Sequence, residues 1–311
     1  MTKPIREAYG AALVKYGKGD DRVVVLDADV SSSTKSGIFQ AACPERFFNC
    51  GVAEADMVGI AAGMAANGKI PFVNTFGVFL CSLGLASIRA LCSYSKLPVK
   101  LMGAYGGLSD AFDGPSHHSI DDISIMRALP NMEVYVASDA VQTDWLVKNA
   151  IERDKPMYIR LSREAFPDLY AEGTVFEAGR GKIVREGCDA AVIACGLMVG
   201  NALAAAEMLQ GEGISLRVVD MMCIKPLDEA LVLRCAKETG AVITAEEHTM
   251  YGGLGGTVCE ALCRGDARVP VGTVALMDTH AECGPYKTLQ SAYGLDAAAI
   301  AKEVRATIAK K

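Results

Sequence analysis

VVVLDADVSSSTKSGIFQAACPERFFNCGVAEADMVGIAAGMAANGKIPFVNTF, residues 23–76, decides the fold. It opens on an apolar, β-branched run and closes on another, with an Ala-, Gly- and Met-rich stretch of helical length before the second. Runs that are apolar at nearly every position suit strands buried on both faces, as in a parallel sheet covered by helices. Strands are predicted at 23–30, 71–76, 99–105, 132–138 and 157–162, with helices around 53–66, 83–95, 120–128 and 141–153. A polar stretch with Gly and Glu, 166–187, reads as a linker or a short hairpin. The alternation then restarts with strands at 190–196, 215–221, 241–247 and 271–277, and a last helix at 297–309. The expectation is an α/β protein of two doubly wound domains with mostly parallel sheets, at 1–168 and 188–311, joined by a linker at 169–187.

Composition agrees with two domains. The 311 residues are 51% hydrophobic and only 22% charged, too apolar for a mainly disordered chain. A net charge of −6 argues against a nucleic-acid groove binder, whose affinity would come from clustered Lys and Arg. No apolar run reaches the ~18 residues of a membrane span. Residues 1–6 carry no signal core, and the 11 cysteines are odd in number without a CxxC, which suits buried free thiols and a cytoplasmic location. The mean hydropathy of +0.23 has two readings, an Ala-rich parallel core or a large interface with another chain.

In open parallel sheets ligands bind beyond the carboxyl ends of the strands, so the polar residues there are the candidates. Asp27-Ala28-Asp29-Val30-Ser31-Ser32-Ser33 follows the first strand and could equally be a helix cap with turn-forming serines. Thr75-Phe76-Gly77-Val78-Phe79 follows the second, where a core aromatic pair would explain the phenylalanines. Residues 103–118, GAYGGLSDAFDGPSHH, form a long Gly-rich loop with two of the four histidines, and such loops are usually functional. Ser162-Arg163-Glu164 follows the fifth strand, and Arg163 could simply pair with a surface carboxylate. Glu54 starts a very apolar, small-residue helix. It either meets the helix dipole or stands desolvated at an interface with its proton available for chemistry. Tyr251-Gly252-Gly253-Leu254-Gly255-Gly256 is not GxGxxG and lacks the acidic residue of a dinucleotide site.

Together NCGVAEADMVGIAAGMA, NTFGVF, FDGPSHHSIDD, LPNMEVYVASD and IRLSRE resemble the C-terminal half of transketolases. EEHTMYGGLGGTVCEAL and AECGPYKTL extend the resemblance over the whole chain. The chain is similar to the pyrimidine-domain plus C-terminal-domain subunit of a split, two-chain transketolase. The resemblance implies thiamine diphosphate and the transfer of a two-carbon ketol unit from a ketose phosphate to an aldose phosphate. Glu54 matches the glutamate that hydrogen-bonds N1′ of the aminopyrimidine, so that the 4′-amino group can take the proton from thiazolium C2. Phe79 matches the ring stacked on the pyrimidine, with Phe76 beside it, and Val52 and Asp29 match further cofactor contacts. His117 and Asp113 match ligands of substrate hydroxyls, His117 also a proton carrier. Arg6, Ser33 and Arg163 match the ligands of the acceptor phosphate. Tyr105 stands where the family has a histidine that also holds substrate phosphate, which leaves the acceptor's anionic group open, a sulfonate included.

The family's GDG…N motif for diphosphate and Mg2+ is missing, and neither Gly19-Asp20-Asp21 nor Gly265-Asp266 supplies it. The expected partner is therefore an N-terminal transketolase subunit of roughly 270–300 residues that carries this motif and binds Mg2+. The resemblance implies a heterotetramer of two chains plus two, with the small-residue helix at Glu54 facing another chain. The rival readings are the β subunit of a 2-oxo acid dehydrogenase, a non-catalytic interaction subunit that kept the fold, and a 1-deoxyxylulose phosphate synthase.

Overall fold

A computed structural model describes residues 4–311. Twelve strands occur among them: β1 (Val23–Asp27), β2 (Phe47–Asn49), β3 (Ile70–Phe76), β4 (Lys100–Ala104), β5 (Glu133–Val136), β6 (Met157–Arg160), β7 (Lys182–Arg185), β8 (Ala190–Ala194), β9 (Leu216–Asp220), β10 (Cys223–Lys225), β11 (Val242–Thr249) and β12 (Val271–Leu276). The first sheet has the order β10-β5-β6-β4-β3-β1-β2 and is parallel except for β10. The second has the order β12-β11-β8-β9-β7 and is parallel except for β7. Both sheets thus have the mostly parallel α/β plan that the apolar runs imply.

The reason is visible in β1. Val23 and Val25 pack on one face of the sheet with Tyr9, Leu13 and Phe39, while Val24 and Leu26 pack on the other with Met57 and Val58. A strand that alternates between two apolar layers must be apolar throughout, because successive side chains point to opposite faces. Each such residue, fully buried, contributes about 1.5–3 kcal/mol of transfer free energy.

Several expectations are corrected. The stretch 83–95 is not one helix; Leu85–Ser87 passes into a wider π-turn at Ile88–Tyr94, and a separate helix covers Gly77–Ser82. Within the expected linker 169–187, Lys182–Arg185 is a strand of the second sheet, antiparallel to β9. The backbone N–H groups of Leu169 and Tyr170 also donate to Asp139 Oδ2 at 2.8 and 2.9 Å, so the segment is pinned rather than free-running. The cysteines are all free, but four of them, Cys188, Cys259, Cys263 and Cys283, are exposed rather than buried.

The two halves are stitched together. β10, three residues beyond the end of β9, crosses to the first sheet and pairs antiparallel with β5. Lys225 on β10 then donates to the carbonyl oxygens of Arg127 at 2.9 Å and Leu129 at 2.5 Å. Asp220 at the end of β9 is buried and accepts from Ser138 Oγ at 2.9 Å, Gln142 Nε2 at 2.8 Å and Tyr170 Oη at 2.7 Å. Burial outweighs these bonds and pushes its carboxyl up to about 6. Arg160 is also buried at the junction, paired with Asp122 at 2.9 Å and donating to the carbonyl of Glu247 at 2.9 Å. No helix among the described residues is long and apolar enough to cross a membrane.

Candidate active site

The residues that leave the carboxyl ends of β1, β3 and β4 pack into one cluster, in which Val30, Val78 and Phe79 lie against Phe76, Ala104 and Tyr105. The Phe76 ring stacks on Tyr105 with centroids 4.5 Å apart and planes 15° from parallel. Phe79 tilts against Phe76 at 5.9 Å, and the His117 ring meets Phe79 edge-on at 5.1 Å and Phe76 at 6.0 Å. The loop from β4 therefore returns, eleven residues after Gly106, to close over the aromatic pair left by β3. Its base is held by two isolated bridges from Ser119 to Gly106 and Gly107.

Two strand ends of the first sheet are left-handed at non-glycine residues, Asp29 with φ 66° and Tyr105 with φ 61°. Such positions cost on the order of 1–3 kcal/mol each and gather at functional sites. They also explain why β1 and β4 stop short of the predicted ends: the apolar run continues past the residue where the backbone must turn. Asp29 accepts a hydrogen bond from Asn49 Nδ2 at 2.8 Å, while Asn49 Oδ1 accepts from the N–H of Gly51 at 3.0 Å. This turn delivers the chain into the helix Glu54–Ala66.

Glu54 lies in the first turn of that helix and is 3% exposed. Its Oε1 accepts one hydrogen bond, from Thr75 Oγ1 at 3.1 Å, and no cation of the described residues pairs with it. Val52, two residues earlier, is 79% exposed. A buried carboxylate with one neutral partner has capacity for a further donor, since an ionised carboxylate offers about four lone-pair sites. A ring nitrogen of an aminopyrimidine that carries a proton could donate to this acceptor.

At the other end of the cluster stand two guanidiniums. Arg6 Nη1 donates to Tyr105 Oη at 2.8 Å and to the carbonyl of Ser33 at 3.2 Å. Arg163 Nη1 pairs with Asp110 Oδ1 at 2.7 Å. The two Cζ atoms lie 5.7 and 5.2 Å from the Tyr105 ring centroid. The partner of Arg163 is thus a buried carboxylate, not the surface one considered from sequence. Burial, and next the charge of Asp113, push the Asp110 carboxyl up, and Arg163 opposes both. Asp113 itself is exposed, and His117 Nδ1 lies 2.9 Å from Ser116 Oγ. The adjacent His118 is buried and its ring nitrogens lack a hydrogen-bond partner among the described residues; burial pushes its pKa down.

The structure thus joins Arg6, Ser33, Tyr105 and Arg163 in one group and Phe76, Phe79, Tyr105 and His117 in another. Sequence reasoning did not foresee that Thr75, Asn49 and Asp110 are the partners of Glu54, Asp29 and Arg163. The last lies 53 residues from its arginine, and only the long loop signals it.

The fold is that of a two-domain α/β protein, with its candidate site residues on strand-end loops of the first sheet. The chain belongs to the transketolase family: the profile of the transketolase pyrimidine-binding domain matches residues 2–168, and that of the transketolase C-terminal domain matches residues 179–300. A Methanocaldococcus jannaschii protein assigned as a transketolase C-terminal section is 39% identical over 99% of this chain and 98% of its own length. The 6-deoxy-6-sulfo-D-fructose transketolase subunit of a Clostridium species is 38% identical over 99% of this chain and 95% of its own. A solved split-gene transketolase, described as an inactive β4 tetramer, superposes with a TM-score of 0.89 at 44% identity and 98% coverage of both chains.

Proposed function

We propose that this chain is the C-terminal subunit of a two-chain transketolase. In this reading it transfers a two-carbon ketol unit between sugars with anionic end groups, once paired with a subunit that binds diphosphate and Mg2+. The observation that carries the reading is Glu54, buried with the Thr75 hydroxyl as its one hydrogen-bond partner among the described residues, Thr75 being the residue before Phe76 of the Phe76–Phe79–His117 cluster. The relatives support the split arrangement, being a C-terminal section, a transketolase subunit and a split-gene β4 tetramer.

Thiamine diphosphate would supply the electron sink that this carbon–carbon chemistry needs. Glu54 would hold a proton at the N1′ position of the pyrimidine, with the Thr75 hydroxyl fixing the orientation of its carboxylate. Phe79 and Phe76 would flank the ring and keep water away, while Val52 and Asp29 would line the cofactor's edge. His117, its Nδ1 held by Ser116, keeps Nε2 for a substrate hydroxyl and its proton, and Asp113 accepts from a neighbouring hydroxyl. Arg6, Ser33, Tyr105 and Arg163 would take the anionic end.

Self-association fits the helix Glu54–Ala66, where added Cβ atoms at Gly59 and Gly63 would meet nothing within 4 Å and Ile60 is exposed. That open small-residue face would lie against another chain. The reading is tested by reconstitution with a subunit bearing the GDG…N motif, thiamine diphosphate and Mg2+. Ketol transfer by the pair and none by the chain alone is expected. Turnover by the chain alone, or turnover of 2-oxo acids with an artificial electron acceptor, would overturn it.

A further inference from the structure

We infer that the second domain positions the loop 103–118 at the candidate site, and that Glu247 is the positioning residue through which it acts. The inference rests on the proposed role of His117 and Asp113, which this loop carries, in binding substrate hydroxyls. Glu247 stands on β11 of the second sheet, is buried, and has no part in the chemistry proposed above. The loop crosses directly over it at Gly107. A Cβ at Gly107 would collide with Cγ, Cδ and Oε2 of Glu247, and the φ of 66° there is left-handed. Burial raises the pKa of the Glu247 carboxyl, and Arg160, the Tyr286 hydroxyl and the Leu108 N–H oppose the rise. The carboxyl therefore gathers β6, the helix Tyr286–Ala292 and the first part of the loop around one point.

The same domain grips the loop further along. The N–H of Gly284 donates to the carbonyl of Ala111 at 3.0 Å. Thr249, two residues after Glu247, donates its N–H to the carbonyl of Ile120 at 2.7 Å, just past the end of the loop. Gly114, left-handed at φ 78°, lies so close to the Cys283 thiol that a Cβ there would collide with Sγ. The Gly114 carbonyl in turn accepts from the N–H groups of His117 at 2.9 Å and His118 at 3.0 Å. The route from Cys283 to the His117 backbone thus runs through one residue with no room for a side chain. From the first domain the loop is held by the Ser119 bridges at its base and by Arg163 on Asp110. Cys283 is exposed and Gly284 half-buried, whereas Glu247 is buried, so the prop beneath Gly107 is the fixed one.

The test reads the His117 ring by NMR in the full chain, where its edge-on contacts with Phe79 and Phe76 give the Hε1 proton a ring-current shift. Trp145, the one tryptophan, packs on Phe176 at 5.6 Å away from the loop, and its indole signal reports the fold. Glu247→Ala should move the His117 signal toward its value in an unfolded chain and leave that of Trp145 in place. Glu247→Gln keeps the length and an acceptor oxygen and should restore the wild-type position. Gly107→Ala strikes the carboxyl from the loop side; it should displace the His117 signal too, and it carries the test if Glu247→Ala does not fold. A His117 signal unmoved in Glu247→Ala or, failing that, in Gly107→Ala would overturn the inference, as would a Gln variant displaced as far as the Ala variant. In the reconstituted enzyme Glu247→Ala should lower kcat/KM for the ketose by about 10- to 100-fold. The Kd of thiamine diphosphate should stay unchanged, because Glu54 and Phe79 lie off the loop. Loss of cofactor binding as well would mean a general structural role and would overturn the inference. A displaced His117 with unchanged kcat/KM would uphold the action of Glu247 on the loop and remove His117 from substrate binding, a failure of the proposed function alone.

Discussion

Replacing Asp220 by Asn should abolish a pH-dependent part of this protein's stability. The carboxyl is buried at the junction of the two halves and is pushed up to about 6, against about 3.9 for an unfolded aspartate. The folded state therefore holds the proton over a range where the unfolded state has released it. Stability from this group is fully present below the unfolded pKa and is lost as pH rises through about 6. Two pH units at 1.36 kcal/mol each give a loss of roughly 3 kcal/mol by pH 8. Asparagine resembles the protonated acid. With its amide oxygen toward Tyr170 and Gln142 and its NH2 toward the Ser138 hydroxyl, it can satisfy all three partners. Wild type and Asp220→Asn should accordingly melt together below about pH 3.5 and diverge by pH 8, the variant melting higher by roughly 5 °C. Thermal scans at matched rates from about pH 3.5 to pH 8 measure this. A melting-point difference that does not change with pH would refute the argument, because it would mean that the wild-type carboxyl titrates alike in both states.

Glu54→Ala should leave the fold intact yet slow exchange of the cofactor's C2 proton by about 100-fold or more in the reconstituted enzyme; exchange at the wild-type rate would remove Glu54 from its proposed role. Arg163→Ala should raise the KM for the anionic acceptor with less change in kcat, the pattern of lost ground-state binding, and steady-state kinetics with an unchanged KM would make the arginine structural. Lys225→Met gives up two hydrogen bonds to buried carbonyls and should cost about 1–3 kcal/mol, read as a lower melting temperature. An unshifted melt would show that water replaces the ammonium there.

Nine of the strands could be read from the chain because each carries a largely apolar run buried on both faces, as Val23–Val25 and Val24–Leu26 illustrate. β2, β7 and β10 could not: all three lie at sheet edges, β2 and β7 are partly exposed, and β10 follows β9 so closely that the two read as one apolar stretch. The loop 103–118 and the helix start at Glu54 were visible through composition alone. Their partners were not, since Thr75 meets Glu54 across the packing of a helix on β3 and Asp110 meets Arg163 between two loops. Such pairs are set by tertiary geometry, and no local periodicity encodes them. The ends of β1 and β4 were overrun for a related reason: Ala28–Val30 and Tyr105 read as strand, and the left-handed turns at Asp29 and Tyr105 leave no mark in a residue type that glycine would have signalled.

The crossing of β10 bears on how such a chain can be dissected. A fragment ended at the polar stretch near residue 168 would keep six strands but expose the outer edge of β5, a row of backbone groups open to pairing with other chains. Grafting the first half onto a foreign partner would meet the same problem. The unit that can be moved intact is therefore larger than the domain drawn from the alternation of strands and helices: it must carry the ribbon through Lys225, and with it most of the path to the second sheet.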